Sequence, residues 1–235
     1  MTTPAVKGQV GEAEGLLGAG KRAIRQYARP FLLIQAAAVG LVVAYQASAT
    51  VRAACATLAE VKRAGGLPFS AAAAAVAGGL LPEVAKLVAA PRRGLLRGRG
   101  GEVAFNTVFF ALNGVVVDLF YRLATVLFGA VATPGTVVEK VAFDQFVFSP
   151  TWLYVIVVLF TWRQNHFSFA ATRAAVDRRF YRRRVLPLLL PNWCFWMPMT
   201  SIIYALPANL QFLLFVLALA AWSLIMVFIA AGAGP

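Results

Sequence analysis

Long apolar stretches divide this chain, and nearly all of its basic residues lie in the connections between them rather than inside them. A hydrocarbon core about 30 Å thick requires roughly 20 apolar residues in a helix, and five stretches reach or approach that length. The chain is 60% hydrophobic with a mean hydropathy of +0.74, yet its 235 residues carry a formal net charge of +13. This pattern predicts an all-α fold, a polytopic membrane helix bundle.

The predicted membrane helices cover residues 31–48, 68–90, 103–128, 138–162 and 207–230. The first is expected to continue as an amphipathic helix through Lys62 until the glycine pair 65–66 ends it. Pro82 and Pro150 are expected to kink the second and fourth helices. The stretch 192–206 is interpreted as interfacial or as a broken helix that enters the membrane.

Charge on the connections predicts the orientation of the helices. Basic residues are concentrated in the tail before Phe31, after the second helix and after the fourth, and five crossings place these three segments on one face. The following arginines are expected to dock on anionic lipid such as cardiolipin or on acidic patches of partner proteins, rather than on nucleic acid: Arg92, Arg93, Arg97, Arg178, Arg179, Arg182, Arg183 and Arg184. Trp162, Trp193 and Trp196 are expected at headgroup depth.

The residues required for most cofactor chemistry are scarce in this chain. One histidine and two cysteines cannot supply a zinc, haem or iron–sulfur ligand set, so no metal site and no cofactor is expected. Cys55 and Cys194 form no Cys-x-x-Cys pattern and are interpreted as small apolar side chains. His166 lies in a basic connection without an obvious acid beside it. We therefore predict no catalytic residues and no enzymatic activity.

Ionisable groups at bilayer depth are energetically costly, so each requires a partner or a function. Asp118 precedes Arg122 by four residues, and Glu83 precedes Lys86 by three, so each acid can pair on its own helix. The alternative for these two pairs is a role in conduction. Asp144 and Gln145 begin the fourth helix, and Lys140 lies one turn before them. For these two residues the sequence leaves two interpretations open, an interhelical polar clamp and the lining of a polar path.

Small residues mark one face of the second predicted helix. Ala71, Ala75 and Gly79 form a smooth stripe, which favours close contact with another helix. The alternative is an alanine-rich surface that simply faces lipid.

Several motifs together resemble those of the Mpv-seventeen and peroxisomal-membrane-protein-twenty-two family. The residues that carry the resemblance are Gly114, Asp118-Leu119-Phe120-Tyr121, Phe143-Asp144-Gln145, Ser149-Pro150, Asn192-Trp193, Trp196, Pro198, Tyr204, Leu206-Pro207 and Trp222, with a weaker match at Pro68, Gly78-Gly79 and Glu83. The chain departs from the family pattern at Val115 and Phe120, where the family has proline and tryptophan.

This resemblance implies a family-like four-helix membrane domain over residues 67–230, in the mitochondrial inner membrane or, alternatively, the peroxisomal membrane. Residues 1–30 would form a basic tail, 31–66 an extra N-terminal membrane helix with its amphipathic extension, and 231–235 a C-terminal tail. Our first hypothesis is a non-catalytic accessory subunit of a respiratory-type inner-membrane complex, with lipids and other subunits as partners. The alternative is a channel for small solutes or ions, as proposed for the family.

Overall fold

The computed structural model describes residues 28–29, 31–89 and 99–232, and in these ranges it is helical without any strand. The helices are α1 (Phe31–Ala47), α2 (Ala49–Ala74), α3 (Leu81–Ala89), α4 (Gly100–Phe128), α5 (Pro134–Phe143), α6 (Ser149–Gln164), α7 (Phe169–Ala175), α8 (Leu186–Tyr204) and α9 (Ala208–Gly232). Within these ranges, four helical runs are long and apolar enough to cross a membrane, the first of them with a kink at Gly66: Ala49–Leu87, Gly100–Phe128, Pro134–Gln164 and Tyr181–Tyr204. The prediction of an all-α polytopic helix bundle is confirmed. Arg92, Arg93, Arg97 and most of both predicted tails lie outside the described residues.

Three wide π-helical turns occur within the long helical runs, and each ends two residues before a proline. They are Ala75–Leu80 before Pro82, Asp144–Phe148 before Pro150, and Tyr181–Val185 before Pro187. Proline has no N–H, and its ring crowds the carbonyl four residues earlier, which is relieved when the preceding turn widens. The sequence predicts kinks at Pro82 and Pro150, and the structure has these wide turns there.

The described residues form two compact units, which we call the larger and the smaller unit. The larger unit takes in the described parts of Pro30–Lys140 and Ser201–Pro235, and the smaller unit is built mainly by Val141–Thr200. In the larger unit α2, the first wide turn and α4 pack together, with α9 against them. Phe31 of α1 contacts Trp222 of α9, with their ring centroids 5.1 Å apart.

Helices α2 and α4 run antiparallel in very close contact. A Cβ atom on Gly114 would clash with the Ser70 carbonyl oxygen and lie 2.5 Å from Ala74 Cβ, and one on Gly79 would lie 2.8 Å from Thr107 Cα. Glycine at positions 79 and 114, facing small residues such as Ser70 and Ala74, allows this approach. The predicted close contact of the second helix is thus confirmed at Gly79, while Ser70 and Ala74 make the tightest part of the crossing.

Two features differ from the predictions. The first helix does not continue past residue 48: Ser48 leaves the helical conformation, its hydroxyl accepts a hydrogen bond from the Val51 N–H, and α2 begins there. The predicted end of this amphipathic helix at the glycine pair is confirmed, because Gly66 (φ 54°, ψ −139°) lies outside helical geometry and the range given for α2 consists of two helices that meet there at a kink. The stretch 192–206, predicted as interfacial or broken, belongs mostly to the unbroken helix α8. Region 67–230 therefore contains one more long apolar helix than the predicted four.

In the smaller unit, α6 packs against α7 and the wide turn before α8. The turn after α6 places His166 (φ 52°) and Phe167 (φ 61°) in the left-handed conformation, which costs a non-glycine residue roughly 1–2 kcal/mol. Trp162 holds this turn, because its indole N–H donates to the Phe167 carbonyl at 2.8 Å. The Trp162 side chain is exposed, as the predicted position at headgroup depth requires.

Candidate functional site

The carboxylate of Asp118 is the centre of a polar cluster between α2 and α4. It is 1% exposed, and its Oδ1 lies 2.6 Å from Lys62 Nζ. Its Oδ2 accepts hydrogen bonds from Ser70 Oγ at 2.8 Å and from Arg122 Nη2 at 3.0 Å. The pairing of Asp118 with Arg122 predicted from their spacing is confirmed. Both carboxylate oxygens are occupied, so the cluster links the two helices.

Sequence reasoning missed both partners of Asp118 that lie in α2, Ser70 and Lys62. Lys62 lies 56 residues before Asp118, and its Nζ also lies 5.4 Å from the centroid of the Phe212 ring in α9. The close crossing at Gly114 brings α2 near enough for the lysine to reach the carboxylate. One signal in the sequence could have indicated this contact. Lys62 is a cation in the amphipathic part of α2 for which the sequence analysis named no acidic partner.

A second group of charges joins the first turn of α3 to the start of α4. Glu83 Oε1 lies 2.6 Å from Lys86 Nζ, which confirms the predicted local pair. Arg99 adds a contact between the helices, with Nη2 3.7 Å from Glu83 Oε2 and Nε 3.1 Å from Glu102 Oε2. The hydrogen bond to Glu102 raises the pKa of Arg99 above its ordinary value, so this arginine keeps its charge.

In the smaller unit, Asp144 and Gln145 lie in the wide turn between α5 and α6. Gln145 Nε2 donates to Asp144 Oδ1 at 3.0 Å and to Thr200 Oγ1 of α8 at 3.3 Å, and both Asp144 and Gln145 are buried. Of the two interpretations left open by the sequence, this geometry favours the interhelical clamp. The bond to Thr200 spans 55 residues, which is why the sequence could not name the partner.

The backbone carbonyl of Gln145 has an unusual partner, the indole N–H of Trp193 at 2.8 Å. In the wide turn Ser149 N–H bonds the Asp144 carbonyl instead, and the next residue, Pro150, has no N–H to offer. The Gln145 carbonyl is thereby left for a side-chain donor. Trp193, predicted to meet lipid headgroups, uses its N–H inside the smaller unit.

Replacing Trp193 by phenylalanine is expected to lower the free energy of unfolding by about 2 kcal/mol, because a buried carbonyl loses its donor. Equilibrium unfolding in detergent micelles measures this. Trp162→Phe is the matched control, since water can replace its exposed bond to the Phe167 carbonyl, and its effect should be below about 1 kcal/mol. Pro150→Ala should offset part of the Trp193→Phe loss by restoring a backbone N–H. Equal effects of the two tryptophan variants would contradict this role of Trp193.

Lys140 is a buried cation whose surroundings the sequence did not reveal. It is 1% exposed, and its Nζ lies 5.8 Å from the centroid of the Tyr204 ring, within the larger unit. The sequence offered Lys140 as a partner for Asp144. The contact with Tyr204 is a cation–π interaction, which is strongest where the cation has lost its water.

The remaining predicted site residues are arginines and one tryptophan. Arg178, Arg179, Arg182, Arg183 and Arg184 are all exposed, as docking on lipid or a partner requires. Trp196 is partly buried, and its ring meets that of Phe195 edge-on at 5.0 Å.

Three buried amide oxygens have no hydrogen-bond partner within the described part of the chain: Asn106 Oδ1, Gln145 Oε1 and Gln211 Oε1. A buried acceptor of this kind is uncommon and is normally satisfied by water.

Comparison of the chain with protein-family models, curated proteins and solved structures gives no match.

Proposed function

We propose that this integral membrane protein is a non-catalytic accessory subunit of a larger respiratory-type complex in the mitochondrial inner membrane. The observation that carries the proposal is the use of its buried carboxylates. Glu83 and Asp118 are held by cations, and Asp144 accepts a bond from Gln145. Polar groups used in this way fix the packing of helices, as a structural subunit requires.

The outer surface supports the same proposal. Helices α1 and α4 expose large apolar side chains, among them Leu33, Val43, Leu112 and Val126. Such surfaces fit lipid or the helices of partner subunits. The exposed arginines at 178–184 add positive charge that suits cardiolipin or acidic surfaces of neighbouring subunits.

The organelle is proposed from the resemblance to the Mpv-seventeen and peroxisomal-membrane-protein-twenty-two family. Its motifs at Phe143-Asp144-Gln145 and Ser149-Pro150 coincide with the second wide turn, and Asn192-Trp193 supplies the donor that this turn requires. We propose the mitochondrial inner membrane, with the peroxisomal membrane as the alternative.

Solubilising native membranes in a mild detergent tests the proposal. We expect the protein to migrate with stoichiometric partners on a native gel, and the triple variant R182Q/R183Q/R184Q to weaken that association at least tenfold if the arginines dock on a partner. Arg173→Gln, an exposed arginine outside the cluster, is the control and should have little effect. A protein that always migrates alone would contradict the proposal.

A channel for small solutes is the second candidate, and the unpartnered oxygens of Asn106, Gln145 and Gln211 favour it because they offer acceptors to water or solute. Flux into liposomes tests this. A channel lined by the smaller unit should lose flux in Asp144→Ala and Gln145→Leu, while Gln164→Leu, an exposed glutamine of α6, should leave it unchanged. Absence of flux, or flux indifferent to Asp144→Ala, would remove this candidate.

A further inference from the structure

Between Leu119 and Leu127, the exposed residues of α4 are apolar except at one position. Leu119, Leu123, Val126 and Leu127 are all exposed there, and Arg122 lies among them with 53% of its side chain exposed. Because α4 is long and apolar enough to cross a membrane, this face is suited to acyl chains. Arg122 is thus a guanidinium placed in a surface that otherwise suits lipid.

The charges around Arg122 do not cancel. Lys62 and Arg122 both pair with the single carboxylate of Asp118, which leaves one positive charge in excess. The ion pair joins only Nη2 of Arg122 to Asp118, while a guanidinium carries five N–H donors in a planar fork. The half-exposed part of the fork therefore remains available to an anion with several oxygen atoms.

The position of Arg122 along α4 matches the depth of lipid headgroups. It lies six residues before the helix ends at Phe128, which corresponds to about 9 Å along the axis. Helix α4 has 29 residues, about 44 Å of helix, which is longer than a hydrocarbon core of about 30 Å. Its last turns therefore extend beyond the core, and Arg122 lies near the membrane surface while its guanidinium stays paired with Asp118. At this depth the abundant anion is the phosphate of a phospholipid.

We propose that Arg122 binds the headgroup phosphate of an acidic phospholipid, at the end of α4 that leads to the Gly129 turn, with the acyl chains lying against Leu119, Leu123 and Val126. Asp118 positions the guanidinium before the lipid arrives, which reduces the ordering cost of binding. The excess positive charge favours acidic over zwitterionic lipid. This inference does not depend on the proposed role in a complex.

Photo-cross-linking tests the proposal on the delipidated full-length protein in uncharged detergent. The probe is phosphatidylglycerol with a diazirine in its acyl chain, and labelled peptides are mapped by mass spectrometry. We expect labelling at Leu119–Leu127 to fall about tenfold in Arg122→Gln, the effect of losing one charged hydrogen-bonding partner. Labelling of Arg122→Lys, which keeps the positive charge but not the planar fork of donors, should be intermediate between that of the unmodified protein and that of Arg122→Gln.

Several controls make the result specific. Labelling near the exposed arginines 178–184 should be the same in Arg122→Gln, and Arg63→Gln, an exposed arginine on α2, should change α4 labelling less than twofold. Three results would overturn the proposal. They are unchanged α4 labelling in Arg122→Gln, equal labelling of α4 by a phosphatidylcholine probe, and displacement of the phosphatidylglycerol probe by inorganic phosphate. Arg122→Gln should remain folded, because Lys62 and Ser70 still hold Asp118.

Discussion

Asp118→Asn is expected to lower the free energy of unfolding by about 3 kcal/mol, the largest single effect that we expect in this protein. The change removes the negative charge opposite Lys62, whose side chain is only 14% exposed, and leaves a largely buried cation without its counter-ion. Arg122 contributes less to the loss, because more than half of its side chain is exposed and its remaining N–H donors can bind lipid headgroups and interfacial water. Unfolding in detergent micelles, followed by far-UV circular dichroism, measures the difference.

Two variants distinguish the loss of the Lys62 counter-ion from a nonspecific destabilisation of the fold. Arg122→Gln should cost less than about 1 kcal/mol, because an exposed partner contributes little to an ion pair. The double variant Lys62→Met with Asp118→Asn should be more stable than Asp118→Asn alone, since no uncompensated cation remains. If Asp118→Asn cost no more than Arg122→Gln, the central role of the carboxylate would be wrong.

Gly114→Ala is expected to destabilise the larger unit by about 2 to 3 kcal/mol, the cost of forcing an extra methyl group into a close-packed contact. The new Cβ would clash with the Ser70 carbonyl oxygen and lie 2.5 Å from Ala74 Cβ. Because two backbones meet there, neither can rotate away as a flexible side chain would. Moving the two helices apart to relieve this clash would also draw Ser70 Oγ away from Asp118, and this would weaken the polar cluster.

Gly101→Ala, in the first turn of the same helix, is the matched control. A Cβ at Gly101 meets nothing within 4 Å, and alanine favours the helix over glycine by up to about 1 kcal/mol. The control should therefore be neutral or stabilising. If both alanine variants behaved alike, helix propensity rather than the α2–α4 contact would govern stability at Gly114.

The sequence predicted those parts of the polar network that are local. Asp118 with Arg122, and Glu83 with Lys86, follow from spacing along one helix, and both pairs are present. The partners Lys62, Arg99 and Thr200 come from other helices. No periodicity reveals them, because the pairing depends on how the helices cross.

The prolines in and near residues 192–206 did not allow the sequence to decide whether the helix breaks there. Pro191 and Pro198 lie inside α8, and proline usually interrupts a helix. In this chain the wide turn Tyr181–Val185 accommodates Pro187 at the start of the same helical run, which continues to Tyr204. A proline marks where a helix must adapt, but the sequence alone does not say whether it breaks.

Composition and the alternation of apolar and basic segments were sufficient to determine the class of fold, because a backbone in hydrocarbon must satisfy its hydrogen bonds internally and helices achieve this within one segment. The tertiary structure decided which charges meet. A hydrogen bond or ion pair depends on distances of a few ångströms between helices, and those are set by contacts such as Gly114 against Ser70, where the absence of one methyl group lets Lys62 reach Asp118.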